Sequence, residues 1–331
     1  MRRGLSLMIK KHWRIHAGLI LVLGSLVPGS MVSFARLASA GDLPVLYQGT
    51  AHDAIYDVVF DGQQGIAVGA GGQVFTSADG GATWGKDVGP ETGLALLGVA
   101  ARGDRRVVVG QSGEMFRFEQ GSWTPVDTGT DARLFSAALG DDGLIVVTGA
   151  FGTLLISHDD GESWRAAEFD WLAILQDYLE PHLYDVEIKG KTVTVVGEFG
   201  LVLRSTDAGE TWAVAHRSDE SLFNLTITEN GTGLAVGQKG TILRTVDGGA
   251  TWRQVATAGD ANLLGVWLSG DRAFAVGIRE GLQSKNAGRS WTSIALEGDL
   301  STGWYQAVAS APSAAQPVLV GHSGRILALD H

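Results

Sequence analysis

The feature that most constrains this chain is an eight-residue string that returns five times. SADGGATW occupies 77–84, SHDDGESW 157–164, STDAGETW 205–212, TVDGGATW 245–252 and SKNAGRSW 284–291. The shared pattern is Ser/Thr-x-Asp-x-Gly-x-x-Trp, with Asn286 replacing aspartate in the last copy. A degenerate copy, EQGSW, ends at Trp123. Tryptophans 84, 123, 164, 212, 252 and 291 therefore follow one another at spacings of 39, 41, 48, 40 and 39 residues. A fixed period near 40 means repeated units, each of which buries its apolar face against its neighbours.

A second motif precedes each tryptophan. It is an apolar run closed by Gly-x-x-Gly: IAVGAGG ends at 72, VVVGQSG at 113, VVTGAFG at 152, TVVGEFG at 200, LAVGQKG at 240 and VLVGHSG at 324. AVGIREG, ending at 281, carries one extra residue and completes seven copies. A short apolar strand pattern lies upstream of each. Every unit thus reads strand a, strand b, Gly-x-x-Gly turn, strand c, Asp-Gly turn and strand d with its tryptophan. Glycine is 47 of 331 residues, and it supplies the positive φ that two-residue hairpin turns require. Four strands per unit of about 42 residues make a propeller blade. The seventh unit stops at ILALD, 326–330, without strand d, while LPVLY, 43–47, precedes the first unit with no blade of its own. The expectation is an all-β, seven-bladed propeller of four-stranded antiparallel blades, closed by an N-terminal strand beside 326–330.

The first forty residues read as an address. They hold six Lys or Arg and no acid, then an apolar run LILVL at 19–23, and they end in LASA at 37–40. That order predicts a secretory signal cleaved after Ala40, with residues 17–35 as an uncleaved anchor in the alternative. The expected domains are a signal at 1–40 and a propeller over 41–331, placed in the periplasm or secreted. The remaining 19 basic and 36 acidic residues give the body a charge of −17. Such a body repels nucleic acid and anionic lipid. With no cysteine, disulfides, thiolate catalysis and cysteine-based zinc sites are excluded.

The Ser-x-Asp-x-Gly-x-x-Trp string resembles the Asp box of bacterial neuraminidase repeats. Combined with the Gly-x-x-Gly runs, it is more specifically similar to the photosystem II assembly and stability factor family of seven-bladed propellers, over nearly all of residues 43–331. The resemblance implies a non-enzymatic assembly factor bound to a membrane protein complex. Exported bacterial relatives point to a resistance-nodulation-division type transporter as a candidate partner. This chain departs from the photosynthetic members in its acidity, so a basic docking surface does not carry over.

The repeated aspartates read as structure rather than chemistry, because an active site does not recur five times. Asp79, Asp159, Asp207 and Asp247 are expected to accept bonds within their turns, and Trp84, Trp164, Trp212, Trp252 and Trp291 to pack between blades. No catalytic residue, metal ligand or cofactor is expected; a sialidase-like or lectin propeller is the alternative. Strand a lies nearest the axis, and its second aligned position reads Asp57, Gly98, Ser136, Asp185, Asn224, Gly265 and Gln306. This predicts a polar, solvated channel wall, with Asp57 and Asp185 too far apart to share a proton or metal.

One insertion breaks the repeat. Between Trp164 and Trp212 lie about eight extra residues, within EFDWLAILQDYLEPH at 168–182. Trp171, Ile174, Leu175, Tyr178 and Leu179 follow helical spacing, Asp170 is a cap, and Pro181 a stop. The expected helix, 171–179, lies on the same face as the flanking b–c turns with Phe151 and Phe199. It either folds down beneath those rings or forms a protein-docking surface on a monomeric propeller.

Overall fold

The computed structural model describes residues 43–257, 259–294, 302–312, 314 and 316–329. The leader, the cleavage after Ala40 and the anchor alternative at 17–35 lie outside these residues. Among them, twenty-eight strands form seven four-stranded antiparallel sheets. Blade 1 is Ile55–Asp61, Gln64–Gly69, Val74–Ser77 and Gly85–Asp87. The next five blades repeat that order, with strands a at Leu96–Arg102, Leu134–Leu139, Leu183–Lys189, Leu222–Ile227 and Leu263–Ser269. Blade 7 takes strands a to c from Tyr305–Ala309, Val318–Gly321 and Ile326–Ala328, and strand d from Val45–Tyr47.

The closure therefore follows the sequence expectation. Val45 pairs with Leu327 and Tyr47 with Ile326. The Ala328 N–H adds a bond to the Pro44 carbonyl at 2.9 Å, and the Gly49 N–H one to Gly324 O at 3.0 Å. With strand d of the last blade drawn from the start of the chain, unfolding that blade unties both ends of the ring.

Apolar side chains from facing sheets fill the space between blades. Trp84 of blade 1 sits in one cluster with Val318, Val320 and Ile326 of blade 7. Arginines of strand c add a polar clamp to the next blade's Asp-box turn. Arg117 Nη1 donates to Asp160 O at 2.7 Å, Arg204 Nε to Gly248 O at 3.1 Å and Arg244 Nε to Ala287 O at 2.7 Å.

Two local readings are corrected. The b–c connection is wider than a two-residue hairpin: in most blades it is one 3-10 turn with two successive positive-φ residues. The first of these is glycine only in blade 1; elsewhere it is Ser112, Phe151, Phe199, Lys239 or Ser323, while blade 6 has the single positive-φ residue Arg279 in this turn. Second, the degenerate EQGSW of blade 2 is no Asp box. Gln120 and Gly121, with φ of 49° and 84°, form a tight hairpin turn that joins strands Met115–Glu119 and Ser122–Pro125.

Candidate functional site

The Asp boxes spend their carboxylates on themselves. Asp79 Oδ1 accepts from Ser77 Oγ at 2.8 Å and from the Thr83 N–H at 2.9 Å, and Oδ2 from Thr83 Oγ1 at 2.6 Å. The Trp84 indole donates to Gly81 O at 3.0 Å. Asp159, Asp207 and Asp247 repeat this geometry, and their tryptophans Trp164, Trp212 and Trp252 repeat the indole bond. The threonine hydroxyls and turn N–H groups hold Asp79, Asp207 and Asp247 at about 2, and the Ser163 hydroxyl holds Asp159 lower still. In the last copy Asn286 Oδ1 takes the same Ser290 N–H at 2.9 Å, while its amide donates to Ser290 Oγ; Trp291 is buried beside Leu234 of the preceding blade.

The channel, about 820 Å³, is lined by strand a of all seven blades. Asp57, Ser136, Asp185 and Asn224 line it, and they do more than face the channel. Each reaches across to the next blade. Asp57 Oδ2 accepts from the Val99 N–H at 2.9 Å, and Ser136 Oγ donates to Asp185 Oδ1 at 2.7 Å. Asp185 Oδ2 accepts from Asn224 Nδ2 at 2.7 Å and from the Leu225 N–H at 2.9 Å; Asn224 Oδ1 takes the Val266 N–H at 2.9 Å. Where the ring has glycine, the blades close up instead: a Cβ on Gly98 or Gly265 would stand 2.6 or 2.5 Å from the next blade's carbonyl oxygen.

Gln306 does not belong to this ring. Tyr305 pairs with Gly321 as Ile55 pairs with Gly69, so Ala307 takes the place of Asp57 in blade 7. Two adjacent aromatics, Trp304 and Tyr305, shift the apparent register by one. Asp57 and Asp185 are also less independent than expected. Asp57 is raised to about 7, chiefly by burial, with the Val99 N–H opposing and the Asp185 charge adding to the rise. Burial likewise brings Asp185 to about 6, and Glu187, facing Lys189 at 3.1 Å, to about 7.

Sequence alternation misses a further ring. In every blade strand a carries a bulge at its start, between Ile55 and Asp57 and their equivalents. The bulged residues are Tyr56, Leu97, Phe135, Tyr184, Phe223, Leu264 and Gln306. Bulges re-aim side chains, and these stand half-buried or exposed at the b–c end of the channel. Phe135 and Tyr184 lie 5.4 Å apart, Tyr184 and Phe223 5.2 Å. The signal was present in the sequence: it is the column just before the polar ring.

The insert joins this aromatic track. Asp170 Oδ1 caps the helix by accepting from the Ala173 N–H at 3.0 Å. The helix spans only Trp171–Leu175, because Gln176 turns left-handed at φ 59°; the expected extension to 179 does not form. Trp171 and Ile174 pack down with Phe169 onto the core between blades 3 and 4, and Leu175 is half-buried. Any side chain at Gly152 would strike the Trp171 indole. The rest of the stripe does not fold down: Tyr178 is 83% exposed and Leu179 52%, with Leu172 at 43% and Phe151 at 65%. Phe199 is half-buried. The first helical turn is thus a lid on the core, and the residues that follow it leave apolar side chains exposed. Phe151 stacks edge-on against His182 at 4.9 Å and its N–H donates to His182 Nδ1 at 3.1 Å; His182 in turn meets Phe135 at 5.9 Å. Phe151 is thereby linked through His182 to the aromatic residues at the channel mouth.

Comparison with known proteins agrees with this architecture. YCF48 from Cyanidioschyzon merolae superposes with a TM-score of 0.69 at 16% identity, over 86% of this chain and 97% of that one. A structure of YCF48 bound to a D1 peptide gives 0.67 at 18% identity, over 88% and 100%. The GH74 xyloglucanase from Xanthomonas campestris gives 0.66 at 15%, over 86% of this chain and 53% of that one. At such identities these likenesses are of fold. No curated protein matches the chain in sequence. A model of the photosynthesis system II assembly factor YCF48 family matches residues 117–220 and 213–328, well over half of the sequence. The chain is a member of the photosynthesis system II assembly factor YCF48 family.

Proposed function

We propose that this propeller is a non-enzymatic, exported scaffold that binds a membrane protein complex through the face carrying the insert, a resistance-nodulation-division type transporter being a candidate partner. The observation that carries this reading is the apolar surface formed by Phe151, Leu172, Tyr178 and Leu179 on one face of a closed ring. Large apolar side chains exposed together on one face mark interaction sites, and aromatic anchors dominate protein interfaces. A propeller of related fold has been seen with a peptide bound, which supports a polypeptide ligand. The Asp-box aspartates are committed here to their turns, and Asp57 and Asp185 to ties between blades. The basic and apolar leader supports export to the periplasm.

The test uses Tyr178→Ser with Leu179→Ser, leaving Trp171 in its packing role. Tagged protein is recovered from the native membrane. The wild type should retain a membrane protein, and the double variant, melting at the same temperature, should lose it. Equal retention by both would overturn the reading.

A further inference from the structure

We infer that the segment recognised by this face is a cationic amphipathic stretch of polypeptide, with aliphatic or aromatic anchors flanked by lysine or arginine. The inference rests on the docking reading above and adds the chemistry of the partner. Residues 168–182 contain Glu168, Asp170, Asp177 and Glu180 and no Lys or Arg. All four acids are exposed, on either side of Leu172, Tyr178 and Leu179. Asp170 and Asp177 each give one oxygen to a local backbone N–H. Among the described residues none of the four joins an ion pair, although Arg102, Arg105, Arg117 and Arg165 elsewhere on the ring each do. Arg217 approaches the insert but donates to the Ile174 carbonyl.

An apolar patch set in unpaired carboxylates selects its occupant. A membrane-surface anchor pairs its apolar side chains with Lys or Arg, which meet anionic headgroups; this patch carries the opposite sign on a body of charge −17. An acidic protein surface would be repelled as well. A basic segment is attracted at long range and aligned at contact, and apolar anchors then supply the affinity. Partial exposure limits each charge pair to a modest contribution, so charge sets preference and the anchors set strength.

The probes are two short labelled peptides with identical leucine and phenylalanine positions. One carries lysine and the other glutamate at every polar position. Fluorescence anisotropy with the full chain should show binding of the lysine peptide alone, weakening as salt rises. Tyr178→Ser with Leu179→Ser should cost at least about tenfold in affinity. Asp177→Asn with Glu180→Gln should cost roughly fivefold. Asp104→Asn with Asp271→Asn removes two exposed charges on the opposite face and should cost nothing. Vesicles of equal phosphatidylcholine and phosphatidylglycerol should not sediment the protein. The inference fails if the glutamate peptide binds as well, if the opposite-face pair weakens binding equally, or if the vesicles retain the protein. If it fails while the Tyr178 and Leu179 variant still sheds its membrane partner, the docking face stands and only the partner's charge is wrong.

Discussion

Substituting Asp185 by alanine and by asparagine separates the bonds of this carboxylate from its charge. It accepts from Ser136 Oγ, Asn224 Nδ2 and the Leu225 N–H, which together tie blades 3, 4 and 5. Alanine takes the acceptor from these three cross-blade donors and from the Val186 N–H, which also donates to Asp185 Oδ1. At about 1 kcal/mol each, with channel water replacing part of the loss, the cost is about 2–3 kcal/mol, or a melting temperature lower by roughly 5 °C. Asparagine keeps an oxygen for Asn224 and Leu225 and can turn its amide toward the Ser136 oxygen, so near pH 5 it should cost less than about 1 kcal/mol. The pH dependence then isolates the charge. Burial raises Asp185 from 3.8 to about 6, Asp57 from 3.8 to about 7 and Glu187 from 4.5 to about 7. The folded ring holds protons that the unfolded chain has already released. Stability therefore falls as pH rises from about 4 to about 7 and levels off above that. Asp185→Asn has no proton to lose there, so its decline should be shallower, and it should gain on the wild type between pH 4 and 8. Urea unfolding followed by tryptophan fluorescence across this range reads both effects. An alanine variant as stable as the wild type would refute the role of the ring in joining blades. An asparagine variant that tracks the wild type in parallel would refute the raised carboxyl.

Three further outcomes follow from the same packing. Asp247→Ala should lower stability by about 1 kcal/mol in denaturant titration, since its bond to Thr245 is only part-buried and that to Thr251 is exposed, and should leave peptide binding unchanged. Gly265→Ala places a Cβ 2.5 Å from the Gln306 carbonyl oxygen; it should cost more than about 2 kcal/mol, whereas Gly270→Ala, with open space around it, should show only the strain of its positive φ in the same titration. Deleting 43–48 removes the outer strand of blade 7, and calorimetry should then show the sharp single transition replaced by a broad one at lower temperature.

The blade count and the closure were legible because the repeat marks its own turns. Gly-x-x-Gly and Asp-x-Gly-x-x-Trp stand at fixed places in each blade, and 43–47 is the one strand left over for a blade that lacks one. The ring at the channel mouth was not legible from alternation, because a bulge inserts one residue and turns Tyr56, Phe135, Tyr184 and Phe223 away from the period of two. In blade 7 the neighbouring Trp304 and Tyr305 offer two registers, and only the pairing with Gly321 decides between them. The helix of the insert was readable at its start, where Asp170 caps it. Its end was not, because a left-handed Gln176 has no marker such as glycine. Which of Trp171 and Tyr178 is buried depends on Gly152 and Phe169, brought together only by the packing of blades 3 and 4.

The most direct test of the central claim is photo-crosslinking from defined positions in cells. A benzophenone amino acid is placed at Tyr178 on the insert face, or at Asp271 on the opposite face, and the adducts are identified by mass spectrometry after irradiation. A docking face built on the insert predicts an adduct with an integral membrane protein from position 178 and none from 271. Adducts from 271 alone, or the same adducts from both positions, would contradict it.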